Sequence, residues 1–230
     1  MGKLVAYSGF SASNYLEQPY NPDLDFGTGD FCVMGWVKAT AGTQCIFEKG
    51  VGLTGFSFEL FADGFLAKIG NAYFIPNTDL NIANGMWRHV AAVRKSNTLS
   101  FVLDGVETYS ISNSNDISAV DHASRIGCRT DGSRPSDSLA LLRISATAPT
   151  AEQMQKINND EKQLFQENAK CTLYGTSDSV TALAHDPDTD LLHVGTNQGR
   201  SVFKGLRRVD NTSTPVTTAI AANNGMVIEQ

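Results

Sequence analysis

The sequence predicts an all-β protein built as a sandwich of two antiparallel sheets. Residues 98–103 and 106–111 are strand-like runs on either side of Asp104-Gly105. Asp-Gly is the strongest short hairpin signal, because both central residues of such a turn take positive φ. Residues 31–37 are apolar on both faces, which is typical of a central strand covered on both sides. About ten such short runs, with turn residues and no helix between them, favour two packed sheets.

The predicted strands occupy the first two thirds of the chain. They cover residues 4–7, 15–16, 21–23, 31–37, 45–48, 56–61, 65–69, 87–94, 98–103, 106–111, 124–127 and 139–144. In the run 98–103, Leu99, Phe101 and Leu103 share one face, as period-two alternation requires. A second Asp-Gly pair, Asp63-Gly64, predicts another tight turn.

One helix is predicted late in the chain. Thr150 and Gln153 have the spacing of a capping box, in which each side chain satisfies the other residue's backbone N–H. Apolar residues then recur at roughly helical spacing from Met154 to Phe165, and the polar run ends at Asn168. We expect the apolar stripe of this helix to pack on one edge of the sandwich.

The last quarter of the chain has a different pattern. Residues 180–184, 191–196 and 202–207 predict three strands, which cannot cover both faces of their own sheet. The end, residues 211–230, is rich in Thr, Ala and Asn and has almost no charge. We therefore divide the chain into a sandwich domain with its closing helix, residues 1–168, and a small C-terminal β segment, residues 169–230, that needs partner chains.

Composition excludes several classes of partner. The formal net charge of -6 argues against a nucleic-acid-binding surface, which would need a basic patch. No apolar run reaches the length that crosses a bilayer, so no membrane insertion is expected. The four cysteines are far apart and form no C-x-x-C pair, which favours reduced, structural thiols.

Acidic residues suitable for hydrolysis are sparse. A glycosidase needs two carboxylates facing one cleft, and the nearest acidic cluster is Glu48, Glu59 and Asp63. Glu59 alternates with Phe58 and Leu60, so we expect it to face outward on a solvated sheet surface. This pattern predicts no catalytic residue.

The histidines and the acidic turn favour structural roles. His89 shares a strand face with Trp87 and Val93, which predicts a partly buried, hydrogen-bonded ring. Residues 186–190 carry three carboxylates, but the glycine and the terminal glutamate of an EF-hand loop are missing. An ordinary acidic turn is therefore favoured over a metal site.

Carbohydrate binding is the sharper hypothesis for the sandwich. Sugar sites use aromatic faces and planar polar side chains on loops over a rigid scaffold. The candidates of these types are Tyr15, Tyr20, Asn71, Tyr73, Asn77, Arg129, Asp131 and Arg134. The alternative is that the tyrosines cap the edges of the sandwich.

Several segments together carry a resemblance to a known family. They are residues 24–31, 35–38, 47–50, 55–58, 85–93 and 103–106, with the helix start at 148–153. In order and spacing, over about residues 3–146, the sequence resembles the laminin-G-like, concanavalin A-like jelly-roll domains. The resemblance implies a jelly-roll arrangement of the two sheets.

Calcium is the one ligand ion that the resemblance raises. Some members of the family hold calcium near their last strand, where an acidic residue is frequent. Ala140 stands at that position, so no cofactor is expected.

The segment from residue 166 to residue 203 is similar to the ends of bacteriophage tail-fibre and virion appendage proteins that carry this jelly roll. The resemblance implies a non-enzymatic virion protein, assembled in the host cytoplasm and located in the extracellular particle. Its role would be adhesion to a host-surface glycan or docking on other virion proteins, as a homotrimer. A purely structural capsid or tail decoration protein and a polysaccharide-degrading enzyme are the two alternatives.

Overall fold

The computed structural model describes residues 6–50, 55–70, 72–76, 79–165, 180–205, 207–216, 220–221 and 227–228. The strands are β1 (Tyr7–Ser8), β2 (Leu16–Gln18), β3 (Phe31–Lys38), β4 (Gln44–Lys49), β5 (Phe56–Phe61), β6 (Gly64–Ile69), β7 (Ala72–Phe74), β8 (Trp87–Lys95), β9 (Thr98–Leu103), β10 (Val106–Ser112), β11 (Ser124–Ile126), β12 (Ser138–Ser145), β13 (Val180–Asp186), β14 (Leu191–Thr196), β15 (Gly199–Lys204), β16 (Arg207–Thr212), β17 (Ile220–Ala221) and β18 (Val227–Ile228). Helix α1 is Ala151–Glu161, and Pro22–Leu24 and Lys162–Phe165 are short 3-10 helices. The chain divides into two compact units, residues 1–158 and 159–230.

The first unit is a two-layer sandwich, as predicted. The first sheet has the strand order β1-β12-β3-β8-β9-β10, and the second has the order β2-β11-β4-β5-β6-β7. Neighbouring strands pair antiparallel in both sheets. The expected jelly-roll sandwich is confirmed.

The main core lies between the two sheets. Phe58 of the second sheet and Phe101 of the first are both fully buried, and their ring centroids are 6.2 Å apart. Leu99 and Leu103 join Phe101 in this core, so the predicted face of β9 is confirmed. Burying one such side chain is worth about 1.5–3 kcal/mol, which is why this layer dominates the stability of the unit.

The β8–β10 meander has two tight turns, one of them at the predicted Asp104-Gly105. Asp104 and Gly105 take φ values of 50° and 81°, and Ser96 and Asn97 take 48° and 62°. Both turns join consecutive antiparallel strands through two residues, the geometry that positive φ at both positions produces.

The prediction of a turn at Asp63-Gly64 was wrong by one residue. The two turn residues are Ala62 and Asp63, with φ of 48° and 63°, and Gly64 already pairs with Phe61 in the ladder. Asp63 is fixed by its own side chain, whose Oδ1 accepts a hydrogen bond of 2.7 Å from the Ala83 N–H.

Helix α1 begins with the predicted capping box. Thr150 N–H donates to Gln153 Oε1 at 2.8 Å, and Gln153 N–H donates to Thr150 Oγ1 at 3.2 Å. The helix packs on the outer face of the first sheet rather than on an edge, which corrects the prediction. Met154 packs in one cluster with side chains of β3, β8 and β9, namely Cys32, Met34, Ala91, Val93 and Val102. The helix covers this face because these outward side chains are apolar.

Arg94 fixes the loops at one end of the first sheet. The residue is fully buried, and its guanidinium donates to the carbonyls of Gly27 (2.6 Å), Gly29 (2.8 Å) and Asn115 (2.7 Å). Burial lowers its pKa. A single side chain therefore holds together two segments that are far apart in sequence.

The prediction of a strand at residues 21–23 was also wrong. Pro22 begins a 3-10 helix, and the Asn21 side chain caps it by accepting from the Asp23 N–H at 2.9 Å. The fixed φ of proline suits the first position of a helix, which explains the difference.

The second unit contains a four-stranded antiparallel meander in the order β13-β14-β15-β16. The expectation of three strands was wrong, because β16 adds a fourth that pairs with β15. Its sequence, RRVDNT, lacks the apolar alternation of a half-buried strand, and most of its residues are exposed. Val194 and Phe203, on the two central strands, are buried.

Candidate functional site

One row of polar side chains crosses the outer face of the second sheet. Cross-strand pairing aligns Glu17, Arg125, Glu48, Ser57, Lys68 and Tyr73 along β2, β11, β4, β5, β6 and β7. The neighbouring Phe47, Phe58 and Ala67 point into the core. Because alternate residues of a strand face opposite ways, this polar row points away from the core.

A loop of residues 127–137, named here the arginine loop, is fastened to this face through Glu59. Arg129 Nη2 lies 2.8 Å from Glu59 Oε1, and Arg134 Nη1 lies 2.5 Å from Glu59 Oε2. The Ser57 hydroxyl donates to Glu59 Oε1 at 2.6 Å. Glu59 is therefore fully buried, and the expectation that it faces solvent was wrong. Two arginines that follow it by 70 and 75 residues cover it.

Glu48 holds the same loop from the next strand. Its Oε2 accepts hydrogen bonds from the backbone N–H (2.5 Å) and the hydroxyl (2.7 Å) of Thr130. Its Oε1 lies 3.8 Å from Arg129 Nε. Two of the three carboxylates in the predicted acidic cluster, Glu48 and Glu59, thus stabilise the arginine loop.

Asp131 has a role within the loop itself. Its Oδ1 accepts hydrogen bonds from the N–H (2.8 Å) and the hydroxyl (2.6 Å) of Ser133. The side-chain hydrogen bond from Ser133 is the main reason that the pKa of Asp131 is lowered. Asp131 is exposed, and the carboxylate shapes the tip of the loop.

Tyr15 lies at the β2–β11 end of the same face. The guanidinium carbon of Arg125 is 3.9 Å from the centre of the Tyr15 ring, and Arg125 Nη2 donates to the Tyr15 hydroxyl at 3.1 Å. Arg125 Nε also pairs with Glu17 Oε2 at 2.7 Å. The ring of Tyr15 is half-buried and one of its faces is occupied by Arg125.

Tyr73 lies at the opposite end of the polar row. It is 56% exposed, on the edge strand β7, and is paired in register with Lys68. Lys68 Nζ is 6.0 Å from the centre of the Tyr73 ring. An exposed aromatic ring beside an amine is a suitable platform for a polar ligand with one apolar face.

Tyr20 belongs to a different cluster. Its hydroxyl donates to Asp25 Oδ2 at 3.5 Å, and Lys49 Nζ is 5.2 Å from its ring centre. Lys49 Nζ also lies 2.8 Å from Asp25 Oδ1. Burial raises the pKa of Asp25, but hydrogen bonds from Lys49 and from the Ala119 N–H outweigh it and lower that pKa. These contacts make Tyr20 part of a structural ion-pair cluster.

The structure thus brings five of the eight predicted site residues to one outer face: Tyr15, Tyr73, Arg129, Asp131 and Arg134. Tyr20 lies elsewhere, and Asn71 and Asn77 lie outside the described residues. Sequence reasoning missed Glu17, Arg125 and Lys68, because only strand register places them in the row. For Lys68, which lies between the apolar Ala67 and Ile69, this alternation was the available signal, whereas β2 is exposed throughout and gives none.

The remaining histidine and metal predictions concern other positions. His89 is fully buried and packs against Trp36, with ring centroids 5.4 Å apart.

In the acidic turn, Asp186 accepts hydrogen bonds from the Asp188 N–H (3.0 Å) and the Thr189 hydroxyl (2.5 Å). No group of three or more potential metal ligands occurs within the described ranges. Over the same residues, no helix has the length and apolarity needed to span a membrane.

A family profile described as the concanavalin A-like lectin/glucanases superfamily matches residues 10–155. No curated protein sequence matches the chain.

Three solved structures are similar in fold. Domain 4 of AbnA, a GH43 extracellular arabinanase from Geobacillus stearothermophilus in complex with arabinotriose, is 18% identical with a TM-score of 0.52, and the match covers 69% of this chain and 82% of that one. The binding domain of Paraclostridial Mosquitocidal Protein 1 is 12% identical with a TM-score of 0.56, covering 99% and 66%. The third is a structure of botulinum neurotoxin type C, a protein whose cell entry depends on interaction with two ganglioside molecules. It is 9% identical with a TM-score of 0.50, and the match covers 82% of this chain and 50% of that one. This chain therefore spans two thirds or less of each of the last two structures. At these identities the likeness is one of fold.

Proposed function

The chain belongs to the concanavalin A-like lectin/glucanases superfamily, and we propose that it is a non-enzymatic module that binds a glycan on the outer face of its second sheet. The observation that carries the proposal is Tyr73, an aromatic ring 56% exposed and next to Lys68 at the open end of the polar row. The arabinotriose and ganglioside named for two structures of similar fold support a sugar as the ligand class.

Binding rather than hydrolysis is supported by the state of the carboxylates. Hydrolysis of a glycosidic bond requires two carboxyl groups that reach the same bond. On this face, Glu59 neutralises Arg129 and Arg134, and Glu48 holds Thr130. Because both carboxylates are engaged in these contacts with the arginine loop, they are unsuited to serve as acid and nucleophile.

We further propose that the module acts in a bacteriophage virion, as a tail fibre or appendage in the extracellular particle. The support is the similarity of residues 166–203 to the ends of such proteins. In this proposal the sandwich domain, residues 1–168, is presented in several copies by the C-terminal segment, residues 169–230. A homotrimer would multiply a weak sugar affinity by avidity, and other virion proteins would anchor it.

The edge strand β13 supports assembly through the second unit. Val180 and Leu183 on this strand are 53% and 67% exposed. Among the described strands β13 lies at an edge of its sheet, and such a strand with exposed apolar side chains offers backbone groups and apolar area to a sister subunit.

A glycan array probed with the full chain tests the proposed function. Binding to a defined set of glycans, with no release of reducing sugar from polysaccharides that contain them, is the expected result. Release of reducing sugar would instead indicate a polysaccharide-degrading enzyme. A blank array would favour a purely structural decoration protein. Light scattering on the same sample tests the trimer separately, since a monomeric mass contradicts it.

A further inference from the structure

We propose that the ligand of this face is an acidic sugar, and that Lys68 recognises its anionic group. The inference rests on the proposed glycan-binding function and specifies the ligand class and the residue that selects it. It follows from how the charges on the outer face of the second sheet are paired.

The arginines on this face already have partners. Arg129 and Arg134 neutralise the buried Glu59, and Arg125 pairs with Glu17 while its plane covers Tyr15. A guanidinium in a short ion pair keeps some free N–H donors, but the carboxylate already compensates its charge, which weakens its attraction for a second anion. We therefore assign these three arginines to stabilising the fold and not to ligand binding.

Lys68 differs from them. Its cross-strand neighbours are Ser57 and Tyr73, and neither is a carboxylate. Within the part of the chain that the structure describes, its ammonium approaches the Tyr73 ring, and no carboxylate lies within ion-pair distance. Lys68 is half-buried near the C-terminal end of β6, so its side chain is partly withdrawn from water.

The nearby carboxylates do not supply the missing counter-charge. Glu48 lies in the same row, but Thr130 donates two hydrogen bonds to it and Arg129 is 3.8 Å away. Glu59 is enclosed by Arg129 and Arg134. The negative charges of Glu48 and Glu59 are therefore already compensated, and they repel an anion near Lys68 only weakly.

Lys68 and Tyr73 together match the two ends of an acidic sugar. Cross-strand partners in an antiparallel pair have Cβ atoms about 4.5–5.5 Å apart, which suits a ligand that spans both side chains. The 6.0 Å between Lys68 Nζ and the ring centre is at the outer limit of a cation–π contact, which leaves the ammonium able to bind a second partner. The C–H face of a sugar ring would stack on Tyr73, while its carboxylate or sulfate would pair with the ammonium.

The net charge of the chain makes such recognition selective. At a formal net charge of -6, the molecule as a whole repels polyanions. Binding of an acidic glycan would therefore depend on a local cation, and it would weaken as salt rises. Loss of that one cation should remove most of the preference.

The test compares charged and neutral forms of the same glycans. The full chain is titrated with an oligogalacturonide and its methyl ester, and with sulfated and unsulfated dextran oligosaccharides, at low salt and at 0.5 M NaCl. We expect one charged form to bind at least tenfold more tightly than its neutral partner at low salt. Lys68→Gln should erase that preference, whereas Lys68→Arg should keep it. Lys38→Gln, at an exposed lysine on the first sheet, is the matched control, and unchanged melting temperatures establish that the variants are folded.

The outcomes separate this inference from the function on which it rests. Equal affinity for charged and neutral forms, or a preference that survives Lys68→Gln, overturns the role of Lys68 while leaving glycan binding intact. Acidic binding that survives both Lys68→Gln and Tyr73→Ala places the acidic site elsewhere, and it overturns the inference as well. A chain that binds no member of a broad glycan array contradicts the proposed function and the inference together.

Discussion

The fully buried Glu59 forms an ion pair with the mostly buried Arg129, 2.8 Å from Glu59 Oε1 to Arg129 Nη2, that joins strand β5 to the arginine loop. The same carboxylate is the counter-charge of Arg134. When one partner of a buried pair is removed, the charges that remain stay out of water without compensation. The pairing is therefore a structural requirement of this face, and it can be tested as one.

Glu59→Gln is expected to lower the free energy of unfolding by about 3–5 kcal/mol, because two guanidinium groups lose their counter-charge. Denaturant titration followed by fluorescence measures the change. Glu17→Gln is the matched control, since that glutamate also pairs with an arginine but its side chain is 40% exposed. Its effect should be about 1 kcal/mol or less. Equal losses for the two variants would contradict the account of the arginine loop.

Arg94→Lys is expected to destabilise the sandwich by about 2–4 kcal/mol, because an ammonium cannot reach all three carbonyls and charge-assisted hydrogen bonds are lost. Equilibrium unfolding in urea measures the loss. Lys95→Ala, at the exposed neighbouring residue, should change stability little. If lysine replaces Arg94 without loss, the three carbonyl contacts contribute no net stability.

Gly105→Ala tests how closely helix α1 packs against the β9–β10 turn. A Cβ at position 105 would lie 3.0 Å from the Gln155 Cα, in addition to the strain of a φ of 81°. Gly85→Ala is the control, because its φ is 76° but the nearest atom would be 3.9 Å away. We expect about 1–2 kcal/mol of strain in both variants and about 1–3 kcal/mol more in Gly105→Ala from the clash. Equal melting temperatures for the two variants would show that the helix is not packed closely enough against this turn to clash with an added methyl group.

Local chemistry made much of the sandwich predictable. The Asp104-Gly105 hairpin and the Thr150–Gln153 capping box depend on residues close together in the chain, and both occur as predicted. The same turn rule failed at Asp63-Gly64, where the Asp63 side chain bonds to Ala83, a residue 20 positions away. Local residue types do not show such a contact.

The candidate face was much less predictable. The aromatic residue Tyr73 could be chosen by its type, but its pairing with Lys68 depends on strand register. The pairing of Arg125 with Glu17 crosses 108 residues, and that of Arg134 with Glu59 crosses 75. Whether an arginine on a loop serves a ligand or a buried glutamate is decided by tertiary contacts of this kind.

Asp137→Asn tests the pH dependence of stability. Burial raises the pKa of Asp137, but hydrogen bonds from the N–H and hydroxyl of Thr40 and from the Gln44 amide outweigh it and hold the pKa below its ordinary value of 3.8. Because the folded-state pKa is lower than the unfolded one, the stabilisation is present above the unfolded value and is lost as the pH falls through the folded value. The cost of Asp137→Asn should therefore be largest at pH 7 and shrink in acid.

Unfolding titrations at pH 7, 5, 4 and 3 measure this difference. Asp79→Asn, at an exposed aspartate, is the control and should have little effect at any of these pH values. A cost for Asp137→Asn that is the same at every pH would contradict the assignment of its hydrogen bonds to the ionised carboxylate.

The most direct test of the central claim is calorimetric titration of the full chain and two tyrosine variants with the strongest ligand from the glycan array. Tyr73→Ala removes the exposed ring of the polar row, and Tyr7→Ala removes a ring of matched exposure, 57% against 56%, from the first sheet. Stacking of a nucleic-acid base on one aromatic ring is worth about 1–3 kcal/mol; with the same scale for a sugar ring, Tyr73→Ala should weaken binding by about fivefold to 150-fold. Tyr7→Ala should leave the affinity unchanged. Equal affinity of the wild-type chain and Tyr73→Ala would contradict the placement of the glycan on the outer face of the second sheet.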